Sequence, residues 1–235
     1  MNALIIGCGR IFYKHLESIN ALKKNKIKIV GFCDKDSKKL KILKKKFKLD
    51  IFKNFKKAID YTKPDLVIIL TPSGFHSEQV IYSIKKNCKV IVEKPLCLKI
   101  RDAKKIVQLS KQYKTKVFVV MQNKFNLPVI KLRKDIQKGF FGRLIHGSVI
   151  VRWKRDKFYY NQAKWRGTWK LDGGVVSNQA SHHLDLMRSI MGEPISVYAK
   201  GFNHLSGTET EDTALIIFKF KNGKTGLMEA TTAMR

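Results

Sequence analysis

Short apolar runs alternate with amphipathic segments over the first 120 residues of the chain. Residues 66–70 are apolar throughout, which is typical of a strand covered on both faces. Similar runs predict further strands at 3–6, 28–33, 89–92 and 117–120. The segments between them predict helices at 15–22, 37–47, 76–86 and 100–111. Strands that alternate with helices in this way predict an α/β domain with a doubly wound parallel sheet.

After residue 120 the pattern changes to longer strands and fewer helices. Helices are predicted at 126–137 and 179–191, and strands at 144–151, 195–201, 213–220 and 224–232. Asn222-Gly223, between the last two strands, is a favoured hairpin turn. We therefore expect one domain over 1–120 and a second, α+β domain with a mostly antiparallel sheet over 121–235.

The chain carries 48 Lys and Arg against 18 Asp and Glu, a formal net charge of +30. Only nine of the 48 basic residues are Arg, and the lysine-rich run 38–48 contains Phe47 as its one aromatic residue. We interpret this charge as a solvated surface that attracts anionic small molecules, rather than as a nucleic-acid interface. No apolar stretch reaches the roughly 18 residues of a membrane span, and no basic leader precedes the first strand. The four cysteines form no CxxC pair. We expect a cytoplasmic protein with reduced thiols and no metal.

A glycine turn, Gly7-Cys8-Gly9-Arg10-Ile11, joins the first predicted strand to the first predicted helix. Glycine lets the backbone approach a pyrophosphate there, and the N-terminus of the following helix favours the same anion. Asp34 ends the second strand, where a dinucleotide-binding fold places the carboxylate that binds the adenosine ribose. Phe12 stands where the third glycine of the pattern would be. These residues predict a nicotinamide-binding N-terminal domain.

Two polar loops follow predicted strands at the edge of the sheet where doubly wound folds bind ligands. Thr71-Pro72-Ser73-Gly74-Phe75-His76 is expected to border the cofactor, with Ser73 also able to cap the next helix. Glu93-Lys94-Pro95 places a lysine ammonium where it could bond a substrate oxygen and stabilise developing charge. The alternative is that Lys94 is one more surface lysine.

In the second domain, Asn178, His182 and Asp185 share one face of the predicted helix, with Asn178 at its start. Gly173-Gly174 just before them would let the backbone approach a ligand. Histidine is a natural proton acceptor for alcohol oxidation, and the alternative is a buried, hydrogen-bonded histidine. The run 152–169, rich in Arg and aromatic residues, suits a sugar with anionic groups, or else packing against the sheet or a subunit.

Together these motifs resemble the Gfo/Idh/MocA family of oxidoreductases. The resemblance rests on the glycine turn, Asp34, the loop 71–76, Glu93-Lys94-Pro95-Leu96 and the run 178–185. The runs 122–126 and 165–169 also resemble the family branch of UDP-N-acetylglucosaminuronate 3-dehydrogenases, which serves bacterial surface-polysaccharide (lipopolysaccharide) synthesis. This branch implies oxidation of a sugar 3-hydroxyl to a ketone by NAD. Asp34 favours NAD over NADP, because its carboxylate repels a 2′-phosphate.

The resemblance also implies site residues. Lys94, His182 and Asn178 are expected to be catalytic. His182 is the better candidate for the base, since an unperturbed lysine has a pKa of about 10.4, although burial that lowers the pKa of Lys94 would let the two roles swap. The expected cofactor-binding residues are Gly7, Gly9, Arg10, Ile11, Asp34, Thr71, Pro72, Ser73, His76, Glu93, Lys94 and Gln122. The expected substrate-binding residues are Lys94, Asn123, Arg152, Arg155, Tyr159, Tyr160, Arg166, Trp169, Asn178 and His182.

Other functions stay open on the sequence. The chain could be another sugar or polyol dehydrogenase of the family, using NAD or NADP, a cofactor-binding protein without turnover, or a nucleic-acid binder. Family members are longer than this chain, so we expect its second domain to be truncated at the C-terminus. An anionic nucleotide sugar and a second copy of the chain, in a dimer or tetramer, are the expected partners, with no nucleic acid and no membrane.

Overall fold

The computed structural model describes residues 1–22, 26–205 and 207–234. The chain divides into two compact units, Met1–Val120 and Met121–Arg235, and each is described by itself.

The first unit is built on six parallel strands in the order β3-β2-β1-β4-β5-β6. The strands are Asn2–Ile6 (β1), Lys28–Cys33 (β2), Asp50–Phe52 (β3), Leu66–Ile69 (β4), Lys89–Val92 (β5) and Val117–Val119 (β6). The strand order reverses between β1 and β4, which is where doubly wound sheets open a crevice for ligands. The predicted doubly wound parallel sheet is confirmed.

Helices cover both faces of this sheet. They are Phe12–Asn20 (α1), Ser37–Phe47 (α2), Phe55–Thr62 (α3), His76–Lys85 (α4) and Ile100–Gln112 (α5). Each face of the sheet has its own hydrophobic core, and successive residues of a strand point to opposite faces. Leu4 packs in the core formed with α3, α4 and α5, whereas Ile5 packs in the core formed with α1 and α2. All four residues of β4 are buried, as its unbroken apolar run predicts.

Two elements of the first unit were not predicted from the sequence. Strand β3 has only three residues. Helix α3 begins after Asn54, whose side chain accepts hydrogen bonds from the amides of Lys56 and Lys57 at 2.9 and 3.1 Å. In addition, α1 begins at Phe12, three residues before its predicted start, and ends at Asn20.

The second unit contains a four-stranded sheet in the order β7-β10-β9-β8. Its strands are His146–Arg152 (β7), Pro194–Phe202 (β8), Thr213–Phe220 (β9) and Thr225–Thr231 (β10). Strand β9 pairs antiparallel with β8 and β10, and β7 joins β10 in parallel, so the predicted mostly antiparallel sheet is confirmed. Asn222 and Gly223 have φ angles of 62° and 74° in the turn between β9 and β10.

Three helices accompany this sheet: Leu127–Gln137 (α6), Lys157–Asn161 (α7) and Ser181–Met191 (α8). Residues alternate between buried and exposed along β9, and its buried side chains share a core with Met187 and Met191 of α8. One face of the sheet is thus anchored to α8. None of the helices in the described ranges combines the length and the apolar character that a bilayer crossing needs.

Helix α8 begins later than the sequence predicts. Its first turn is closed by the amide of Leu184 on the carbonyl of Ala180 at 2.9 Å. Asn178 donates its amide to the carbonyl of Gly174 instead, at 2.9 Å, and so lies in the turn before the helix. The prediction that Asn178 lies at the start of the helix is wrong, so the helical spacing that was expected to align it with His182 does not extend to it. Helix α7 and a 3-10 turn at Gln122–Phe125 were also not predicted.

Candidate functional site

The glycine turn lies against the ends of two neighbouring strands. Gly7 has a φ of +96° and donates its amide to the carbonyl of Cys33 at 2.8 Å. A Cβ on residue 7 would stand 2.7 Å from the carbonyl carbon of Leu70, which is closer than real Cβ contacts. Glycine is therefore required here by both backbone conformation and space.

The next part of the turn has room for a ligand. A Cβ on Gly9 would meet nothing within 4 Å. Helix α1 begins after Ile11 without a side-chain cap, so its first amides have no capping oxygen from Ile11. Phe12 is fully buried and packs edge-to-face on Phe32, with ring centroids 5.4 Å apart. Arg10 is exposed at the turn. The amide of Phe12 donates to the carbonyl of Gly9 at 3.2 Å, and open space beside a helix N-terminus that lacks a side-chain cap fits the pyrophosphate of a dinucleotide.

Asp34 connects the glycine turn to the end of β2. Its Oδ2 accepts the amide of Cys8 at 2.6 Å, and its Oδ1 accepts the amide of Asp36 at 2.9 Å. Burial, followed by the charge of Asp34, raises the pKa of the Cys8 thiol to about 12. The thiol of Cys8 thus stays protonated at neutral pH. A carboxylate at this place has the position that a ribose-binding acid needs.

The loop after β4 is held by internal contacts. The hydroxyl of Thr71 donates to Oε1 of Gln79 at 2.7 Å. Ser73 is buried in a 3-10 turn at Ser73–Phe75, and α4 begins at His76 after Phe75, so Ser73 does not cap that helix as expected. The His76 ring places Nε2 2.8 Å from the carbonyl oxygen of Thr71. That His76, Thr71, Pro72 and Ser73 bind the cofactor stays a prediction.

The turn after β5 carries Lys94. The amide of Glu93 donates to the carbonyl of Ile69 at 2.9 Å, which sets the start of the turn beside β4. Oε1 of Glu93 lies 2.8 Å from Nε2 of His15 on α1, and both side chains are largely buried. The carbonyl of Pro95 lies 2.7 Å from Nδ1 of His76. Lys94 is therefore flanked by two residues that are each fixed to a different helix.

In the second unit, a buried carboxylate organises the turn before α8. Asp172 is 1% exposed, and its Oδ2 accepts the amide of Gly167 at 2.7 Å. Its Oδ1 accepts a short hydrogen bond from Nδ2 of Asn178. Because a carboxylate only accepts, this contact sets which end of the Asn178 amide faces Asp172. Asp172 thus fixes both the loop 165–172 and the orientation of Asn178.

Two histidines lie in the first turn of α8, of which His182 is buried and His183 is partly buried. His182 is 7% exposed, as a catalytic histidine or a core histidine would be. Burial lowers the pKa of its neighbour His183, whose ring lies edge-on to Trp153 at 6.0 Å. Asp185 forms an ion pair with Lys124 at 2.6 Å. This pair fixes the 3-10 turn that contains Gln122 and Asn123 to α8, and leaves the roles of those two residues as predictions.

The predicted substrate-binding arginines fall into two groups. The guanidinium groups of Arg155 and Arg166 lie 4.8 and 4.2 Å from the ring centroid of Tyr159, and Arg166 also stacks on Trp165 at 4.9 Å. Neither Arg155 nor Arg166 forms an ion pair with a carboxylate in the described part of the chain. Arg152 instead pairs with Glu229 through two contacts, at 2.5 and 2.9 Å. The structure thus brings Arg155, Tyr159 and Arg166 together and leaves Arg152 outside this arginine–tyrosine cluster.

An open cleft of about 250 Å³ lies beside the arginine–tyrosine cluster. Arg166, Lys164, Tyr160 and Glu209 are among its lining residues. The hydroxyl of Tyr160 lies 3.1 Å from that of Thr232. Trp169 is exposed and its amide donates to Glu209 at 3.1 Å. Because Lys164 and Arg166 outnumber the single carboxylate of Glu209, the lining of the cleft carries a net positive charge.

Three residues of these arrangements were missed on the sequence. His15 and Asp172 act through contacts that only the fold creates. Glu211 packs its carboxylate against Gly174, where a Cβ would stand 1.7 Å from its Oε2, and accepts the amide of Val176 at 3.2 Å. Burial raises the pKa of Glu211. The Gly173-Gly174 pair was the available signal, since it indicated a close approach without saying what approaches.

A six-stranded parallel sheet of this order, with an acid after β2 and a glycine turn after β1, defines a dinucleotide-binding protein. The chain belongs to the Gfo/Idh/MocA oxidoreductase family. Residues 1–121 match the oxidoreductase family's NAD-binding Rossmann fold, and residues 129–235 match the GFO/IDH/MocA C-terminal domain. The family resemblance and the NAD-binding domain expected from the sequence are confirmed.

Solved structures similar to the chain include two WlbA dehydrogenases in complex with NADH and UDP-GlcNAcA. The Bordetella pertussis enzyme is 31% identical with a TM-score of 0.95, covering 99% of this chain and 71% of its own. The Chromobacterium violaceum enzyme is 32% identical with a TM-score of 0.94, covering 99% and 67%. Myo-inositol 2-dehydrogenase of Thermotoga maritima is 25% identical over 96% of this chain and 66% of its own length. The chain spans about half to two thirds of the curated relatives it matches.

Proposed function

We propose that the chain oxidises the 3-hydroxyl of a UDP-N-acetylhexosaminuronic acid to a ketone with NAD. The general class, an NAD-dependent sugar or polyol dehydrogenase, is supported by the family to which the chain belongs. The particular substrate is supported by the similarity to two dehydrogenases crystallised with NADH and UDP-GlcNAcA, at 31% and 32% identity.

The arginine–tyrosine cluster is the observation that carries the choice of an anionic substrate. Two guanidinium groups share the ring of Tyr159 without a carboxylate partner in the described residues. Two cations held on one aromatic ring repel each other, by on the order of 2 kcal/mol at an effective dielectric constant of about 20. An anion bound at Arg155 and Arg166 would remove this repulsion and gain charge-assisted hydrogen bonds. A neutral polyol offers neither.

The cofactor site is proposed to lie on the glycine turn and Asp34. Gly9 leaves open space, the first amides of α1 meet the pyrophosphate, and the carboxylate of Asp34 binds the adenosine ribose. Bound NAD supplies the hydride acceptor for the reaction. Removing a hydride from the sugar carbon leaves the hydroxyl proton for a side chain to accept.

We propose that His182 accepts the proton of the sugar hydroxyl and that Lys94 orients this hydroxyl. A neutral imidazole accepts a proton near neutral pH, whereas an ordinary lysine, with a pKa of about 10.4, is already protonated. The ammonium of Lys94 would donate a hydrogen bond to the sugar oxygen and stabilise its developing negative charge. Asn178, oriented by Asp172, would donate or accept a further hydrogen bond.

A substrate panel tests the proposal. NADH absorbance is followed with UDP-N-acetylglucosaminuronate, myo-inositol and glucose as separate substrates. The proposal expects NADH with the nucleotide sugar acid and little with the neutral compounds. Myo-inositol oxidation alone would instead support the polyol alternative, which the similarity to myo-inositol 2-dehydrogenase favours. Tight NAD binding without NADH formation from any substrate would support a cofactor-binding protein without turnover.

A further inference from the structure

The turn that carries Lys94 is held on both sides by histidines that the proposed reaction does not use. Glu93 contacts Nε2 of His15 at 2.8 Å, and the Pro95 carbonyl oxygen lies 2.7 Å from Nδ1 of His76. The second nitrogen of His76, Nε2, lies 2.8 Å from the carbonyl oxygen of Thr71. His76 therefore joins the turn after β5 to the loop after β4.

Both contacts of His76 require a proton on the ring. A carbonyl oxygen can only accept a hydrogen bond, and a neutral imidazole carries one N–H. A neutral ring would turn the lone pair of its other nitrogen toward a carbonyl oxygen at 2.7 or 2.8 Å. The two contacts are thus satisfied together only by the imidazolium form.

Some groups around His76 raise the pKa of its ring and others lower it. The ring is 1% exposed, and burial lowers the pKa of His76. The two carbonyl oxygens and the carboxylate of Glu93 raise the pKa, and the ammonium of Lys94 lowers it. Burial is the largest of these effects and the net result lowers the pKa of His76, so the ring is neutral at neutral pH and donates its one N–H to one of the two carbonyl oxygens.

We propose that His76 is a positioning residue for Lys94. Its Nδ1–H donates to the carbonyl of Pro95, and His76, the first residue of α4, so holds the Lys94 turn beside the loop predicted to border the cofactor. This proposal rests on the proposed function, since it needs Lys94 to act on a substrate. It adds that the orientation of Lys94 depends on a histidine that contacts backbone oxygens.

Two substitutions separate the two contacts. His76→Asn keeps an N–H near the position of Nδ1 and retains the link to Pro95. His76→Gln places its N–H near the position of Nε2 and retains the link to Thr71. If the link to Pro95 positions Lys94, kcat of the Gln variant should fall about 100-fold, because a misplacement of about 1 Å can cost that much. The Asn variant should retain clearly more kcat than the Gln variant, and the Kd for NAD, measured in both, separates this difference from any loss of cofactor binding.

A merely structural role predicts a different outcome. Both variants would then lose thermal stability, while kcat per folded molecule would stay equal in the two. That result would overturn the proposal. Hydrogen exchange at the amides of Lys94 and Leu96 provides a second measurement, expected to be faster in His76→Gln than in His76→Asn.

The protonation of His76 can be measured without any substrate. Nitrogen NMR on the chain with labelled histidines, assigned by the signal missing in His76→Asn, should show the proton on Nδ1 at neutral pH. A wild-type chain that turns over no sugar would contradict the proposed function, and the NMR and exchange results would still decide the link. A His76 ring with its proton on Nε2 alone, or equal exchange in the two variants, would overturn it.

Discussion

The carboxylate of Asp34 accepts the backbone amide of Cys8 at 2.6 Å, so the acid that ends β2 also holds the glycine turn after β1. One side chain thus serves two requirements of a dinucleotide site. It holds the glycine turn, and under the proposed function it also supplies the carboxylate for the ribose while that turn approaches the pyrophosphate.

Substituting Asp34 should therefore weaken NAD binding through both effects. We expect Asp34→Ala to raise the Kd for NAD at least about 10-fold, which corresponds to about 1.4 kcal/mol. Calorimetric titration of NAD measures this. Asn54→Ala is the matched control, because it removes the cap of α3 and costs stability without touching the glycine turn. An Asp34→Ala Kd equal to that of the control would contradict the assignment of the ribose carboxylate.

The two glycines of the turn should respond differently to alanine. Gly7→Ala meets the backbone of Leu70 at 2.7 Å with a φ of +96°, so it should lower the unfolding midpoint. We expect a loss of about 2 kcal/mol or more, in line with strained backbone positions. At Gly9 an added Cβ would meet no atom within 4 Å, and φ is not in the left-handed region, so Gly9→Ala should retain the fold. The added methyl group should occupy the space proposed for the pyrophosphate, so the Kd for NAD should rise.

Thermal unfolding with and without NAD distinguishes the glycine variants. Added NAD should stabilise the wild type and leave Gly9→Ala almost unchanged, since only bound ligand shifts the midpoint. Equal stabilisation of the wild type and Gly9→Ala would place the pyrophosphate elsewhere.

The fold was largely predictable because its signals are local. The buried run of β4 and the alternation along β9 follow from side-chain periodicity, which depends on neighbouring residues only. Strand β3 has three residues and too few positions to show a period. The start of α8 was misplaced because hydrogen bonds at Ala180, rather than spacing, set it.

The candidate site was predictable only in part. Residues in recognisable motifs, such as Asp34 and Lys94, stand at the ends of strands where the pattern puts them. Asp172 and His15 were missed because their partners, Asn178 and Glu93, are reached only through the folded chain. A single sequence does not indicate which polar residues will meet in space.

The two proposed catalytic side chains should affect turnover far more than cofactor affinity. Lys94→Met and His182→Gln should each lower kcat by about 100-fold or more, the usual contribution of a positioned proton-transfer or charge-stabilising group. The Kd for NAD should change less than about threefold. Lys89→Met, at the opposite end of β5, and His146→Gln, on β7, are controls of the same chemistry. Near-normal kcat in Lys94→Met or His182→Gln would remove that residue from the mechanism.

Because the pKa of Glu211 is raised, replacing its carboxylate should increase the stability of the fold, and this increase should depend on pH. The ordinary pKa of a glutamate is 4.5, and burial raises the pKa of Glu211 in the folded chain above that value. As the pH rises above 4.5, the unfolded chain therefore loses this proton more readily than the folded chain, and the stability of the fold decreases. Glu211→Gln keeps an oxygen for the amide of Val176 and avoids this cost. We expect the variant to be more stable than the wild type at about pH 8 and to match it at about pH 4.

Denaturant unfolding at both pH values measures the difference. Glu209→Gln, an exposed carboxylate two residues earlier, should change stability by less than about 0.5 kcal/mol at either pH. A Glu211→Gln variant that is less stable than the wild type at high pH would show that the carboxylate is needed in its ionised form.

The comparison of an acidic with a neutral nucleotide sugar tests the central claim most directly. NADH formation is measured with UDP-N-acetylglucosaminuronate and UDP-N-acetylglucosamine, which differ in the carboxylate, for the wild type, Arg166→Gln and the control Arg143→Gln. We predict that the wild type and the control prefer the acid by about 100-fold in kcat/KM, and that Arg166→Gln loses most of this preference, since a charge-assisted contact is worth about 1.5–3 kcal/mol. Equal kcat/KM for the two sugars in the wild type, or an unchanged preference in Arg166→Gln, would contradict the account.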